Sequence, residues 1–144
     1  MYRFLKAFVS GELLKGGECA EGVSVTLKGI ETETISVQAE GAALALDDAA
    51  VGTVAVNAEN ADITIAGQSA VTDIAVNAAN ADVKVSDATV ENVALNAAAP
   101  SVSLGSGARV RTIDVAAQAA SAKITVAQGA EASALNTAAD NVTI

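Results

Sequence analysis

The chain contains no histidine. Without an imidazole there is no Ser-His-Asp or Cys-His relay, and zinc sites built on histidine are excluded too. Cys19 is the single cysteine, so neither an intrachain disulfide nor a paired-cysteine metal site can form. Its neighbours Glu18 and Glu21 disfavour a thiolate, which makes Cys19 a passive thiol rather than a nucleophile. Aromatic residues are 2% of the chain, and Tyr2, Phe4 and Phe8 all precede Val9. A globular core normally spreads large rings along the sequence. Here Ala, Val, Ile and Leu must fill the interior, which calls for thin, uniform layers.

Positive charge is scarce as well: 8 Lys and Arg against 17 Asp and Glu give a net charge of −9. A nucleic-acid binder needs a basic stripe that this chain lacks. Most of the surface is also repelled by anionic lipid, and the acidity favours solubility. Arg3 and Lys6, set among apolar residues, are the local exception. No apolar run approaches the roughly 18 residues of a membrane span. The one in "MYRFLKAFVSGELLKG" breaks too early for a secretory signal, although export within a longer precursor stays open. "LGSGAR" at 104–109 has two glycines but neither the lysine nor the spacing of a phosphate loop.

What the chain has is repetition. "VGTVAVNAENADITIAG" at 51–67 is followed by "VTDIAVNAANADVKVSD" at 71–87. A first ladder pairs Val25/Leu27, Leu44/Leu46, Ile63/Ile65, Val83/Val85, Val102/Leu104, Ile124/Val126 and Val142/Ile144. A second pairs Ile35/Val37, Val54/Val56, Ile74/Val76, Val93/Leu95 and Ile113/Val115, then continues at Leu135. A third holds Val51, Val71, Val90 and Val110, preceded by Ile30. Apolar-x-apolar is the signature of a strand with one buried face. On a helix, Val54 and Val56 would point about 200° apart. Alanine favours helix intrinsically, but the β-branched pairs and the constant return override it.

A return of about 20 residues is too short for a strand-helix-strand unit, which needs about 30. It suits three short strands and tight corners. The predicted fold is therefore all-β: a single-stranded parallel β-helix, or β-solenoid, of about 19–20 residues per coil. Roughly six coils at about 4.8 Å each give a rod of about 30 Å, and parallel connections favour a right-handed winding. The uneven marks at 51, 54, 56, 63, 65 and 71 exclude a six-residue left-handed rhythm, and neither the calcium-binding nonapeptide nor a leucine-rich framework is present.

Residues 23–144 form the repeats, and residues 1–22 stand outside them. Leu5, Phe8, Val9 and Leu13 recur at helix-like spacing, which predicts a short amphipathic cap over the first coil; a membrane-touching helix is the alternative. At the other end the sequence reaches Ile144 within a first-ladder strand. That predicts an open coil available to a further coil, a protein partner or another copy of the chain.

Gln38, Asn57, Asn77, Asn96, Ala116 and Asn136 follow the second ladder. Stacked amides hydrogen-bond from coil to coil, or each supports its own corner. Two additional residues precede Ile124, which predicts a bulge in that coil. Outward positions Ala55, Ala75, Ala94 and Asp114 form one strip; Thr26, Ala45, Thr64, Lys84, Ser103, Thr125 and Thr143 form another, too interrupted for an ice-binding array. Asp62 and Asp82 stack one rung apart and Asp47 and Asp48 share a corner. Two carboxylates begin a calcium site, but Ala43 and Ser101 on the adjoining rungs do not extend it, so they read as solvated corner charges. No catalytic, cofactor-binding or metal residue is assigned, and no cofactor is expected.

The segment "VGTVAVNAENADITIAG" resembles the repeats of Gram-positive bacterial cell-surface proteins, those often joined to S-layer-homology modules. The similarity spans about residues 44–144. It implies an extracellular or surface-located, non-enzymatic stalk, spacer or adhesive module, and it names no functional residues. The chain is also similar to bactofilins, short solenoids that polymerise end to end as a cytoplasmic bacterial cytoskeleton, sometimes behind a basic-apolar segment like "MYRFLKAF".

Overall fold

The computed structural model describes residues 8–9, 12–13, 18–19, 24–38 and 40–144. Its strands are β1 (Phe8–Val9), β2 (Glu12–Leu13), β3 (Glu18–Cys19), β4 (Ser24–Lys28), β5 (Glu31–Val37), β6 (Ala43–Asp47), β7 (Ala50–Val56), β8 (Asp62–Ala66), β9 (Ala70–Val76), β10 (Asp82–Val85), β11 (Thr89–Leu95), β12 (Ser101–Leu104), β13 (Arg109–Val115), β14 (Lys123–Val126) and β15 (Glu131–Thr137). There is no helix among the described residues. Strands β4, β6, β8, β10, β12 and β14 form one sheet, and β3, β5, β7, β9, β11, β13 and β15 the other. All pairings within these two sheets are parallel. The chain is a β-solenoid.

The paired ladders of the sequence are the inward faces of these sheets. Val25 aligns with Leu44, Leu44 with Ile63, Ile63 with Val83 and Val83 with Val102. Val54, Ile74, Val93 and Ile113 align in the same way in the other sheet. Val54, Val56, Ile63, Ile65, Val83, Val93 and Leu95 are fully buried. Aliphatic residues of similar width stack without rings because each layer is one strand spacing thick, about 4.8 Å.

The third ladder does not form a strand of its own. Val51 lies in β7 with Val54, and the pairing skips from Val51↔Val71 to Thr53↔Asp73. The step of three from Val51 to Val54 breaks the period of two. The strand therefore bends at Gly52 and Thr72, and both halves still point inward. The register also corrects the start of this ladder: Thr32, not Ile30, aligns with Val51. Ile30 instead lies under a corner, where its carbonyl accepts the Ala50 amide.

A second correction concerns the last coil. Thr143 bridges Lys123, so Ile144 lies over Ile124 and Val142 over Ala122. Pairing Val142 with Ile124 implies a step of 18, whereas the observed offset of 20 from Lys123 to Thr143 equals that from Asp62 to Asp82. The Thr143 side chain accordingly leaves the row of Thr125.

Corners are held by backbone geometry that the apolar pattern does not mark. At the corners before β6, β8, β10, β12 and β14, and before the bridging Thr143, one residue takes positive φ: Gly41 (73°), Asn60 (58°), Asn80 (59°), Ala99 (52°), Ser121 (64°) and Asn141 (59°). Asn and Gly tolerate this left-handed conformation best. Behind them Ala42, Ala61, Ala81 and Ala122 are buried, since a corner so close to the axis has room only for a small side chain. The expected bulge is present: the corner 116–122 between β13 and β14 is two residues longer than 96–100 between β11 and β12.

The predicted helical cap falls largely outside the described residues. Phe8, Val9 and Leu13, however, belong to β1 and β2, which pair antiparallel with Phe8↔Leu13 and Val9↔Glu12. Ser10 and Gly11 separate the two strands. Ser-Gly favours a turn, and Gly11 in mid-helix would cost about 1 kcal/mol against alanine. The extended pairing of 8–9 with 12–13 thus stands where the apolar spacing predicts a helix.

Candidate functional site

The structure brings together three constellations on the outside of the solenoid. The first is the stacked carboxylate pair. Asp62 and Asp82 align directly in adjacent strands, flanked by Ala43 and Ser101. Lys84 projects from the same face two residues after Asp82 and closes over both. Its Nζ lies 3.1 Å from Asp82 Oδ2 and 3.3 Å from Asp62 Oδ1. The Asp82 hydrogen bond, its charge and then Asp62 raise the Lys84 pKa above its ordinary 10.5. The ammonium thus stands where a cation would bind, and Asp82 Oδ1 is left buried without a hydrogen-bond partner. No group of three or more metal-ligating side chains occurs among the described residues. Composition alone did not reveal Lys84; its signal was the Asp-x-Lys spacing, one return after Asp62.

Asp47 and Asp48 separate at their corner. Asp47 ends β6 and receives Lys28 Nζ at 3.1 Å, and this hydrogen bond raises the Lys28 pKa from 10.5. Asp48 takes positive φ, 52°, so its role is in the turn. Cys19 aligns with Val37 in the first layer.

The second constellation is the amide ladder. Asn77 Nδ2 donates to Asn57 Oδ1 at 2.9 Å, and Asn96 Nδ2 to Asn77 Oδ1 at 3.0 Å. Below them, Asn57 Nδ2 and Gln38 Nε2 both donate to Ser36 Oγ. The stacked-amide reading thus holds for three coils. Asn136 does not continue the row. It aligns with Asp114 and donates to its Oδ1 at 2.7 Å, joining the strip of Ala55, Ala75 and Ala94.

The third is a shallow depression of about 210 Å³ across β11, β13 and β15, bordered by Thr89, Glu91, Arg109, Arg111, Glu131 and Ser133. Arg109 Nη1 reaches Glu131 Oε2 at 2.6 Å, and Arg111 Nη1 lies 3.9 Å from Glu91 Oε2. Arginine on alternate residues of one strand places both guanidinium groups outward on one coil. Acids on the coils above and below balance them, so the depression carries no net field for an anion. The apolar ladders do not mark this quartet. Its signal was the Arg-x-Arg of "RVR", one return after Glu91 and one before Glu131.

Comparison with protein-family models, curated proteins and solved structures finds no match to this chain.

Proposed function

We propose that the chain is a structural, non-enzymatic β-solenoid module acting as a stalk, spacer or adhesive part of a larger bacterial surface protein. The observation that carries this reading is the uniformity of the stack. Coil after coil repeats the same inward residues, and among the described residues no corner exceeds the seven of 116–122. Short corners raise no walls beside a sheet, whereas solenoid enzymes need long loops for a cleft. A rod of about 30 Å with continuous backbone hydrogen bonding keeps whatever is joined to it at a fixed separation. Its surplus of 17 acids over 8 bases opposes lateral clumping. Labelling intact cells of the source organism with antibody to the purified chain tests the surface assignment. Surface signal without permeabilisation is expected, and signal only after permeabilisation overturns it.

End-to-end polymerisation, as in bactofilins, is the second reading, and the regularity of the stack favours it. Successive coils align in parallel register in both sheets, so a coil of another copy would meet matching strand geometry. Negative-stain microscopy of the purified chain separates the readings: protofilaments support polymerisation, and dispersed short rods support the spacer.

A further inference from the structure

Side chains tie successive coils together unevenly. Strands β4 and β5 with the corner after them make coil one, β6 and β7 coil two, and so on to β14 and β15 in coil six. Coil two is tied to coil one by Lys28–Asp47, Asn57–Ser36 and Asn60–Glu40. Coil three is tied to coil two by Asn77–Asn57 and by the Ser69 hydroxyl, which accepts the Ala49 amide. Coil four is tied to coil three by Lys84–Asp62, Asn92–Asp73 and Asn96–Asn77. Coil six is tied to coil five by Arg109–Glu131 and Asn136–Asp114. Between coils four and five the one polar side-chain contact among the described residues is Arg111 to Glu91, at 3.9 Å. That is beyond hydrogen-bond reach. Two residues account for the gap. Ala116 stands at the next position of the amide row: its N–H donates to the Leu95 carbonyl as that of Asn96 donates to Val76. It has no side-chain amide to offer Asn96. Gly105 lies over Ser86, where a Cβ would stand 2.5 Å from Ser86 Oγ, so no side chain ties the coils there.

We infer that the interface between coils four and five is a parting plane, along which residues 101–144 open from the stack as one unit while the earlier coils stay wound. In a stack of nearest-neighbour contacts, the cheapest partial opening runs from an end to the least-tied interface. The two ties between coils five and six keep those coils together as they leave. Backbone pairing crosses the plane without a break, so the closed rod is the ground state and the open form a minor one. Denaturant unfolding therefore stays cooperative. What the plane does for a stalk rests on the function proposed above. At rest the separation is fixed. Under load, two coil heights of about 10 Å are replaced by an extended strand of up to roughly 150 Å.

Native-state hydrogen exchange of the full chain, read by mass spectrometry on peptides from each coil, tests this. The amides of β12–β15 should exchange at one common rate, at least about tenfold faster than those of β6–β11, because the side-chain bonds that hold coil four to coil three have no counterpart at the plane. Ala116→Asn sets a donor beneath Asn96 Oδ1. It should slow exchange across 101–144 about fivefold, the factor that one hydrogen bond supplies, and leave 43–95 unchanged. Asn96→Ala, which unties coil four from coil three, should speed exchange in coil four and leave 101–144 unchanged. A uniform rate along the rod overturns the inference, and so does a smooth gradient in which coil six exchanges well ahead of coil five. An Ala116→Asn chain whose last two coils exchange as fast as wild type overturns it too. These rates do not depend on where the chain resides, so their failure leaves the surface assignment standing, and failed surface labelling leaves the parting plane standing.

Discussion

At the scale of single residues, the inward positions carry the fold and the corner positions carry its strain. Val76 is fully buried between Val56 and Leu95 of adjacent coils. Val76→Asp places an unpaired carboxylate in a layer with no polar partner, which costs about 4 kcal/mol or more. Denaturant unfolding should show the midpoint collapse, and an unchanged midpoint would contradict the inward register. Ala99 poses the opposite case. At φ 52° it occupies a conformation that costs an ordinary residue about 1–2 kcal/mol, where its equivalents are Gly41, Asn60 and Asn80. Ala99→Gly removes that strain and returns part of it as unfolded-state entropy. The net expectation is stabilisation by roughly 0.5 kcal/mol, read as a higher denaturant midpoint; a lower one would show that the alanine methyl packs usefully. The inward valines were legible because apolar side chains two apart leave a pattern. The left-handed corners were not, since Gly, Asn, Ala and Ser share no hydropathy that marks a row.

At the scale of elements, alignment between neighbouring strands accounts for both what was legible and what was not. The Asn57, Asn77 and Asn96 row could be read from the return because identical residues recur beside strongly marked strands. Asn136 was misplaced in that row because the final coil has few apolar marks to anchor its register: Leu135 is followed by Thr137 rather than by a second aliphatic. The same weakness displaced Val142. Lys84 shows what alignment does to charge. Held by Asp82 and Asp62, its pKa lies above 10.5. A raised pKa means that the folded state retains the proton longer than the unfolded chain. The stabilisation is therefore fully present below pH 10.5 and fades as pH rises through the folded-state value. Since the Lys84 side chain is 46% exposed, solvent screening limits the effect to a few tenths of a kcal/mol. The stability difference between wild type and Lys84→Met should be constant from neutral pH to about pH 10 and shrink above it. A difference that grew with alkalinity would contradict the assigned ion pairs.

At the scale of the whole molecule, a solenoid is a one-dimensional stack in which each coil touches only its neighbours. A coil should therefore be removable if the cut respects the register. Thr89 aligns with Ala70 and Val90 with Val71, so deleting residues 71–89 joins Ala70 to Val90 without shifting either row. In the other sheet Asp82 aligns with both Asp62 and Ser101, so β8 gains β12 as its new neighbour. The corners 67–69 and 86–88 have the same length, and nothing needs to stretch. The shortened chain should keep a β-type circular-dichroism spectrum and lose about 4.8 Å of length in small-angle scattering. Its stability should fall by one coil and one interface while unfolding stays cooperative. Deleting residues 71–80 removes β9 but keeps β10, which leaves β8 and β10 without the intervening strand that closes the coil. That chain should lose ordered structure through this region and melt far lower. Equal damage from both deletions would mean that stability resides in contacts spanning many coils, and the nearest-neighbour account of the stack would have to be abandoned.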